Sequence, residues 1–148
     1  MNWMELVTTI ASVATAVAVF FAWWQIRLAK RQAITQFEDG LGREYREIAQ
    51  RIPVKALLGE EIEEKLYEKA LDDFYHYIDL TNEQVFLRQN NRITLKTWEN
   101  WCEGIKSNLS RPAFKKAWTE IKSRATDSFN ELRRLEASGF KDDPFKWR

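Results

Sequence analysis

Residues 6–24 carry no charged side chain, and nothing else in the chain limits its possible folds so strongly. These nineteen residues are enough, at about 1.5 Å of helix rise each, to cross the hydrocarbon core of a bilayer. The ends of the run carry interfacial chemistry. Trp3 stands at one end and the pair Trp23-Trp24 at the other, where amphipathic rings sit at the level of lipid headgroups. The distance from Trp3 to Trp23 along a helix is roughly 30 Å, the thickness of that core. Arg27, Lys30 and Arg31 follow at once, whereas Glu5 is the only charged side chain before the run. This asymmetry predicts an N-terminus outside and a C-terminal part in the cytoplasm.

A cleaved signal peptide would place basic residues before the apolar run and small ones at its end. Here no Lys or Arg precedes it, and it finishes on Val19-Phe20-Phe21-Ala22-Trp23-Trp24. The internal Ala16-Val17-Ala18 would leave a very short apolar region. A buried core helix of this length would normally show a polar stripe. A single membrane-spanning anchor is therefore the expectation.

The span has an internal pattern. Thr8, Ala11, Thr15, Ala18 and Ala22 recur at alternating steps of three and four, which aligns small and hydroxylated side chains along one seam. Ala14, Ala18 and Ala22 add a second small-residue spacing. Small residues let helix backbones approach closely in lipid, where packing and interhelical hydrogen bonds drive association. The seam continues as Gln25, Ala29 and Gln32 at heptad-like steps. It predicts self-association, and Thr8, Ser12 and Thr15 raise the alternative of a polar path through an oligomer. The plain alternative is an alanine-rich anchor whose hydroxyls bond back to their own helix.

Beyond the anchor, the balance of 23 basic against 22 acidic residues, interleaved along the chain, argues against nucleic acid as a partner. Five Gly and three Pro in 148 residues leave long stretches rich in Leu, Ala, Glu, Lys and Arg, so the fold class expected is all-α. The domain reading is an anchor helix with its cytoplasmic extension over residues 1–37 and a helical domain of about four to five helices over 38–148. Gly40 and Gly42 are expected to interrupt the anchor helix as a hinge. A short helix over 43–51 is expected to stop at Pro53, and a long one to begin in the acidic turn Glu60-Glu61. Its core stripe reads Ile62, Leu66, Ala70, Leu71, Phe74, Ile78, Val85 and Phe86, and it should end near Asn90-Asn91. Thr94 reads as the cap of a helix burying Trp98, Trp101, Ile105 and Leu109. Ser110 with Pro112 reads as the start of another, burying Phe114, Ala117, Trp118 and Ile121. A last helix over 126–137 offers Phe129, Leu132 and Leu135 and stops at Gly139. The tail's Phe140, Phe145 and Trp147 should pack on their own domain rather than on a membrane surface.

Chemistry is sparse. Asp72, His76, Asp79 and Glu83 share one helical stripe and are the candidates for a metal site or a pH-sensitive histidine. They lack ligands from a second element, and the expectation is no metal and no cofactor. Cys102 is alone, which excludes an internal disulfide and suits a reducing compartment. With His76 the only histidine, Cys102 reads as a packing residue rather than an activated thiol. No phosphate-binding glycine loop, nucleophile elbow, H-E-x-x-H or C-x-x-C occurs, and a non-enzymatic protein is expected.

One stretch bears a resemblance. Phe74-Tyr75-His76-Tyr77-Ile78-Asp79-Leu80-Thr81-Asn82-Glu83-Gln84 is followed by Arg92-Ile93, Thr97-Trp98, Trp101 and Gly104-Ile105. With Arg111-Pro112-Ala113-Phe114 and Ala117-Trp118, these residues resemble a family of short bacterial membrane proteins built around a domain of unknown function. The resemblance covers about half the chain. It implies one or two N-terminal spans, a helical cytoplasmic domain and a bacterial inner membrane, and it supplies no catalytic residues. It also implies that Asp79, Asn82, Glu83 and Arg92 form a structural polar network tying the long helix to the tryptophan helix. Some small proteins of this plan resemble membrane effectors of phage-defence systems.

The leading expectation is thus a single-pass membrane protein in contact with lipid, whose helical domain binds itself or another protein. The alternatives are an oligomeric pore-type effector, as in phage defence, and a metal- or pH-responsive sensor.

Overall fold

The computed structural model describes residues 2–147, and every regular element among them is helical. The elements are α1 (Trp3–Ala49), α2 (Val54–Leu57), α3 (Glu64–Gln89), α4 (Leu95–Ser110), α5 (Pro112–Arg124), α6 (Asn130–Ala137) and a closing 3₁₀ turn (Pro144–Trp147). The chain divides into two compact units, Met1–Phe37 and Glu38–Arg148. In the first, α1 is long and apolar enough to cross a membrane, and none of its apolar stretch is buried in the protein.

The second unit begins inside α1. Gly40 and Gly42 do not break the helix, contrary to the hinge read from sequence, and the separate helix over 43–51 is the last part of α1. A helical glycine costs only about 1 kcal/mol against alanine. Burying Leu41 and Ile48 within this unit outweighs that. Pro53 does stop the segment, and Gly59, at φ +82°, ends the short α2. The Glu60 amide is committed to the Lys55 carbonyl, so α3 starts at Glu64 rather than in the Glu60-Glu61 turn.

Helix α3 is the axis of this unit and packs against α4, α5, α6 and the 3₁₀ turn. Ala70, Phe74, Ile78 and Val85 are buried as the periodicity predicts, with Ile62 and Leu71 partly so. Leu66 and Phe86 are exposed instead, and the buried face continues through Tyr67, Tyr77, Thr81, Gln84, Leu87 and Arg88. The stripe read from apolar residues alone drifts off the true face because that face includes polar positions. Phe114 meets Phe74 and Tyr77 edge-on, each with ring centroids 5.0 Å apart, an arrangement favoured by the ring quadrupoles.

Thr94 caps α4, accepting from the Thr97 amide, and Trp98, Ile105 and Leu109 are buried with Trp101 half-buried. The cap of α5 falls on Arg111, not Ser110, which is the last residue of α4. The residue before proline is pushed into extended backbone, and Arg111, at φ −72° and ψ 144°, is that residue. Phe114, Ala117, Trp118 and Ile121 are buried as expected. Helix α6 starts later than residue 126, at Asn130, because Phe129 takes a left-handed backbone (φ 61°). That turn buries its ring against Tyr75 and Trp118. Gly139, at φ +68°, ends α6 as expected. The tail folds onto its own unit, with the Arg88 guanidinium bridging Asp143 and lying 5.3 Å from the Phe145 ring centroid.

Candidate functional site

Within the first unit, the small-residue seam Thr8, Ala11, Thr15, Ala18 and Ala22 is exposed along its whole length. Its hydroxyls are already used. Thr8 Oγ1 donates to the Met4 carbonyl at 2.9 Å, Ser12 Oγ to Thr8 at 2.8 Å and Thr15 Oγ1 to Ala11 at 2.9 Å. Their protons are thus held within the helix, while each oxygen keeps lone pairs with which to accept. At the other end of the apolar run, Trp23, Trp24, Arg27, Leu28 and Arg31 form a shallow aromatic and basic collar. The Arg27 guanidinium lies 5.2 Å from the Trp23 ring centroid, within reach of a cation–π contact.

In the helical unit, His76, Asp79 and Glu83 share one shallow groove with Glu44, Glu47 and Arg51. Asp72 lies outside that groove, exposed on α3. Among the described residues no three His, Cys, Asp or Glu side chains converge as ligands for a metal ion. Of the four residues assigned to a polar network, Asn82 makes the clearest tie. Its amide donates to Glu131 Oε2 at 3.1 Å and accepts from the Leu132 amide at 3.0 Å, which joins α3 to α6. Asp79, Glu83 and Arg92 are exposed. Between α3 and the tryptophan helix, the Asn108 amide donates to the Tyr77 hydroxyl. Cys102 is half-buried beside the Phe140 carbonyl, and burial pushes its thiol above the usual value. Burial thus disfavours the thiolate form that nucleophilic chemistry would need.

A half-open cleft of about 190 Å³ lies between α3, α4 and the last turns of α1. Tyr45, Tyr77, Gln84, Asn100, Trp101 and Asn108 supply its polar groups, and no charged side chain lines it. Asn108 organises the floor. Its Nδ2 donates to the Tyr77 hydroxyl at 3.0 Å and lies 3.5 Å from that of Tyr45, while its Oδ1 accepts from Arg111 Nη1 at 2.6 Å. Burial pushes the Tyr77 hydroxyl up to about 12, so it stays protonated at physiological pH.

Gln84 is different. It is only 6% exposed, yet its amide has no hydrogen-bond partner among the described residues. Its side chain lines the cleft and is not sealed from solvent. Two wall positions are glycines in helix interiors, Gly42 and Gly104, and neither has a positive φ. A Cβ at Gly104 would meet nothing within 4 Å, and one at Gly42 would meet only Arg46 Nη1 at 3.6 Å. The fold therefore gains no packing from either glycine, although each costs about 1 kcal/mol against alanine. None of these residues stood out as a site in the sequence. The one available signal was a glycine inside the tryptophan helix, where a helical pattern gives no local reason for it.

Compared with protein-family models, with curated proteins and with solved structures, the chain matches none. The plan implied by the sequence resemblance is present at the level of architecture, as a long N-terminal apolar helix followed by packed helices.

Proposed function

We propose that this is a single-pass bacterial inner-membrane protein, its N-terminus outside, whose cytoplasmic helical unit binds a second copy of the chain or another protein without catalysing a reaction. The observation that carries this reading is the exposure of the first unit. Val7, Ile10, Val13, Val17, Phe20 and Phe21 are all about half exposed on α1. Their transfer from water to lipid is favourable by on the order of 1 kcal/mol each, enough together to rival the whole stability of a small domain. Lipid on most sides and a second helix along the seam meet that demand. The collar of Trp23, Trp24, Arg27 and Arg31 supports the assignment of the inner interface and the orientation. The bacterial inner membrane follows from the family resemblance, and the role in interaction from the small-residue seam and the absence of catalytic motifs in the sequence.

The test is a cysteine cross-link in native membranes, in a Cys102→Ser background. Ala18→Cys should give a disulfide-linked dimer under mild oxidation, and Phe20→Cys, on the opposite face of the helix, much less. A strictly monomeric mass in detergent, with no cross-link at position 18 and no co-purifying protein, would remove the proposal.

A further inference from the structure

We propose that the cleft between α3, α4 and the last turns of α1 is a binding site for a small, uncharged, flat-ring compound with a hydrogen-bond donor beside an acceptor, the chemistry of a nucleobase. Gln84 carries the inference. A side-chain amide buried to this degree normally has its donors and acceptor paired within the protein. Here no bond within the protein uses them, and Gln84 lines the cleft.

The neighbouring groups define the occupant. Trp101, Tyr45 and Tyr77 give the cleft an aromatic lining, which suits the face of a flat ring. A glutamine amide presents a donor and an acceptor side by side and pairs bidentately with a ring edge that offers the complement, as it does with adenine. The lining holds no Lys, Arg, Asp or Glu, so the part of the ligand inside is neutral and a phosphate has no counter-charge there. About 190 Å³ exceeds the cavity of roughly 150 Å³ that holds a benzene ring, and so accommodates a heterocycle. Gly42 and Gly104 fit the same account, because side chains at these wall positions would narrow a space that the fold itself does not fill.

The experiment is calorimetric titration of the full-length protein in detergent with adenosine, guanosine, cytidine and uridine, and with methyl glucoside as a non-planar control. At least one nucleoside should bind with a Kd below about 1 mM. Gln84→Leu should weaken it by about tenfold or more, the loss of one good hydrogen-bonding group. The same variant should melt no lower than the wild type, because the amide it removes has no partner in the free protein. Gly104→Leu is the second variant, and it should block binding while the helical unit stays folded. Failure of all four nucleosides to bind would overturn the assignment. So would binding that survives Gln84→Leu, a Gln84→Leu protein that melts lower, or a site that takes methyl glucoside in preference to the nucleosides.

Discussion

Arg88 and Asp143 offer the sharpest test of how the helical unit is held together. Arg88 Nε and Nη2 donate to the two carboxylate oxygens of Asp143 at 2.8 and 2.7 Å, and Nη1 donates to the Ile93 carbonyl at 2.9 Å. The arginine side chain is 6% exposed and the aspartate 18%, so the pair is largely out of water but not equally so. Removing one partner of such a pair costs about 3–5 kcal/mol, because the other charge stays buried alone. The asymmetry of exposure decides which removal is worse. Asp143→Asn strands a cation that water hardly reaches, and the cost should be about 3–4 kcal/mol. At about 4 °C per kcal/mol for a unit of this size, the thermal midpoint falls by roughly 12–16 °C. Arg88→Met leaves a carboxylate that can still turn to water, and should cost less. The double variant should recover much of the loss, since an apolar replacement of a buried pair is often neutral.

The pH dependence has a definite sign. The Arg88 guanidinium holds the Asp143 carboxyl below its usual value, against the opposing effect of burial and with help from the Phe145 amide. A depressed carboxylate pKa stabilises the folded state above the unfolded value, near about 4, and that stabilisation is lost as pH falls through the lower folded value. The gap between wild type and Asp143→Asn should therefore be constant from neutral pH to about 5 and shrink below about 4. Near-ultraviolet circular dichroism of the detergent-solubilised chain follows tryptophan packing and so reports this unit. Equal midpoints for wild type and Asp143→Asn, or a gap unchanged down to pH ~3, would refute the reasoning.

Two further outcomes follow from single contacts. The Glu38 carboxylate accepts from the Thr94 amide at 2.7 Å and the Thr97 hydroxyl at 2.8 Å, a second cap on α4 beside Thr94 itself. Glu38→Ala should speed hydrogen exchange at the Thr94 amide and cost about 1 kcal/mol, and an unchanged exchange rate there would count against a capping role. The Trp118 indole nitrogen is buried with no partner among the described residues. Trp118→Phe therefore removes an unsatisfied donor as well as ring volume, and chemical denaturation should show a loss below about 2 kcal/mol, well short of the ~3–5 kcal/mol of Trp118→Ala.

The gap between what the sequence exposes and what the fold contains is clearest on α3. Phe74, Ile78 and Val85 announce a buried face by their spacing, and they are buried. Phe86, one residue past Val85, is 47% exposed, while Gln84 and Arg88 go inside. Periodicity weighs residues by hydrophobicity, so it cannot find a face completed by an amide, a hydroxyl and a guanidinium whose partners lie far along the chain. Arg88 needs Asp143, fifty-five residues away, before its burial makes sense. The interface of Tyr77 with Asn108 was equally hidden, because each residue by itself reads as surface or core filler. Local signals fared better. Thr94 and Gly139 act through a single turn of backbone, and they end or begin helices where expected.

The charge-free run near the N-terminus and the scarcity of Gly and Pro determined a long apolar helix and an all-α remainder, since helix formation depends on neighbours within a few residues. Only the tertiary structure decided that Gly40 and Gly42 stay helical, that Glu38 caps a helix fifty-six residues away, and that Gln84 meets a cleft instead of a partner. Those outcomes depend on which faces meet and on polar groups finding partners across the chain. A buried donor or acceptor is costly or harmless according to what packs beside it, and that is a property of the folded arrangement rather than of any segment.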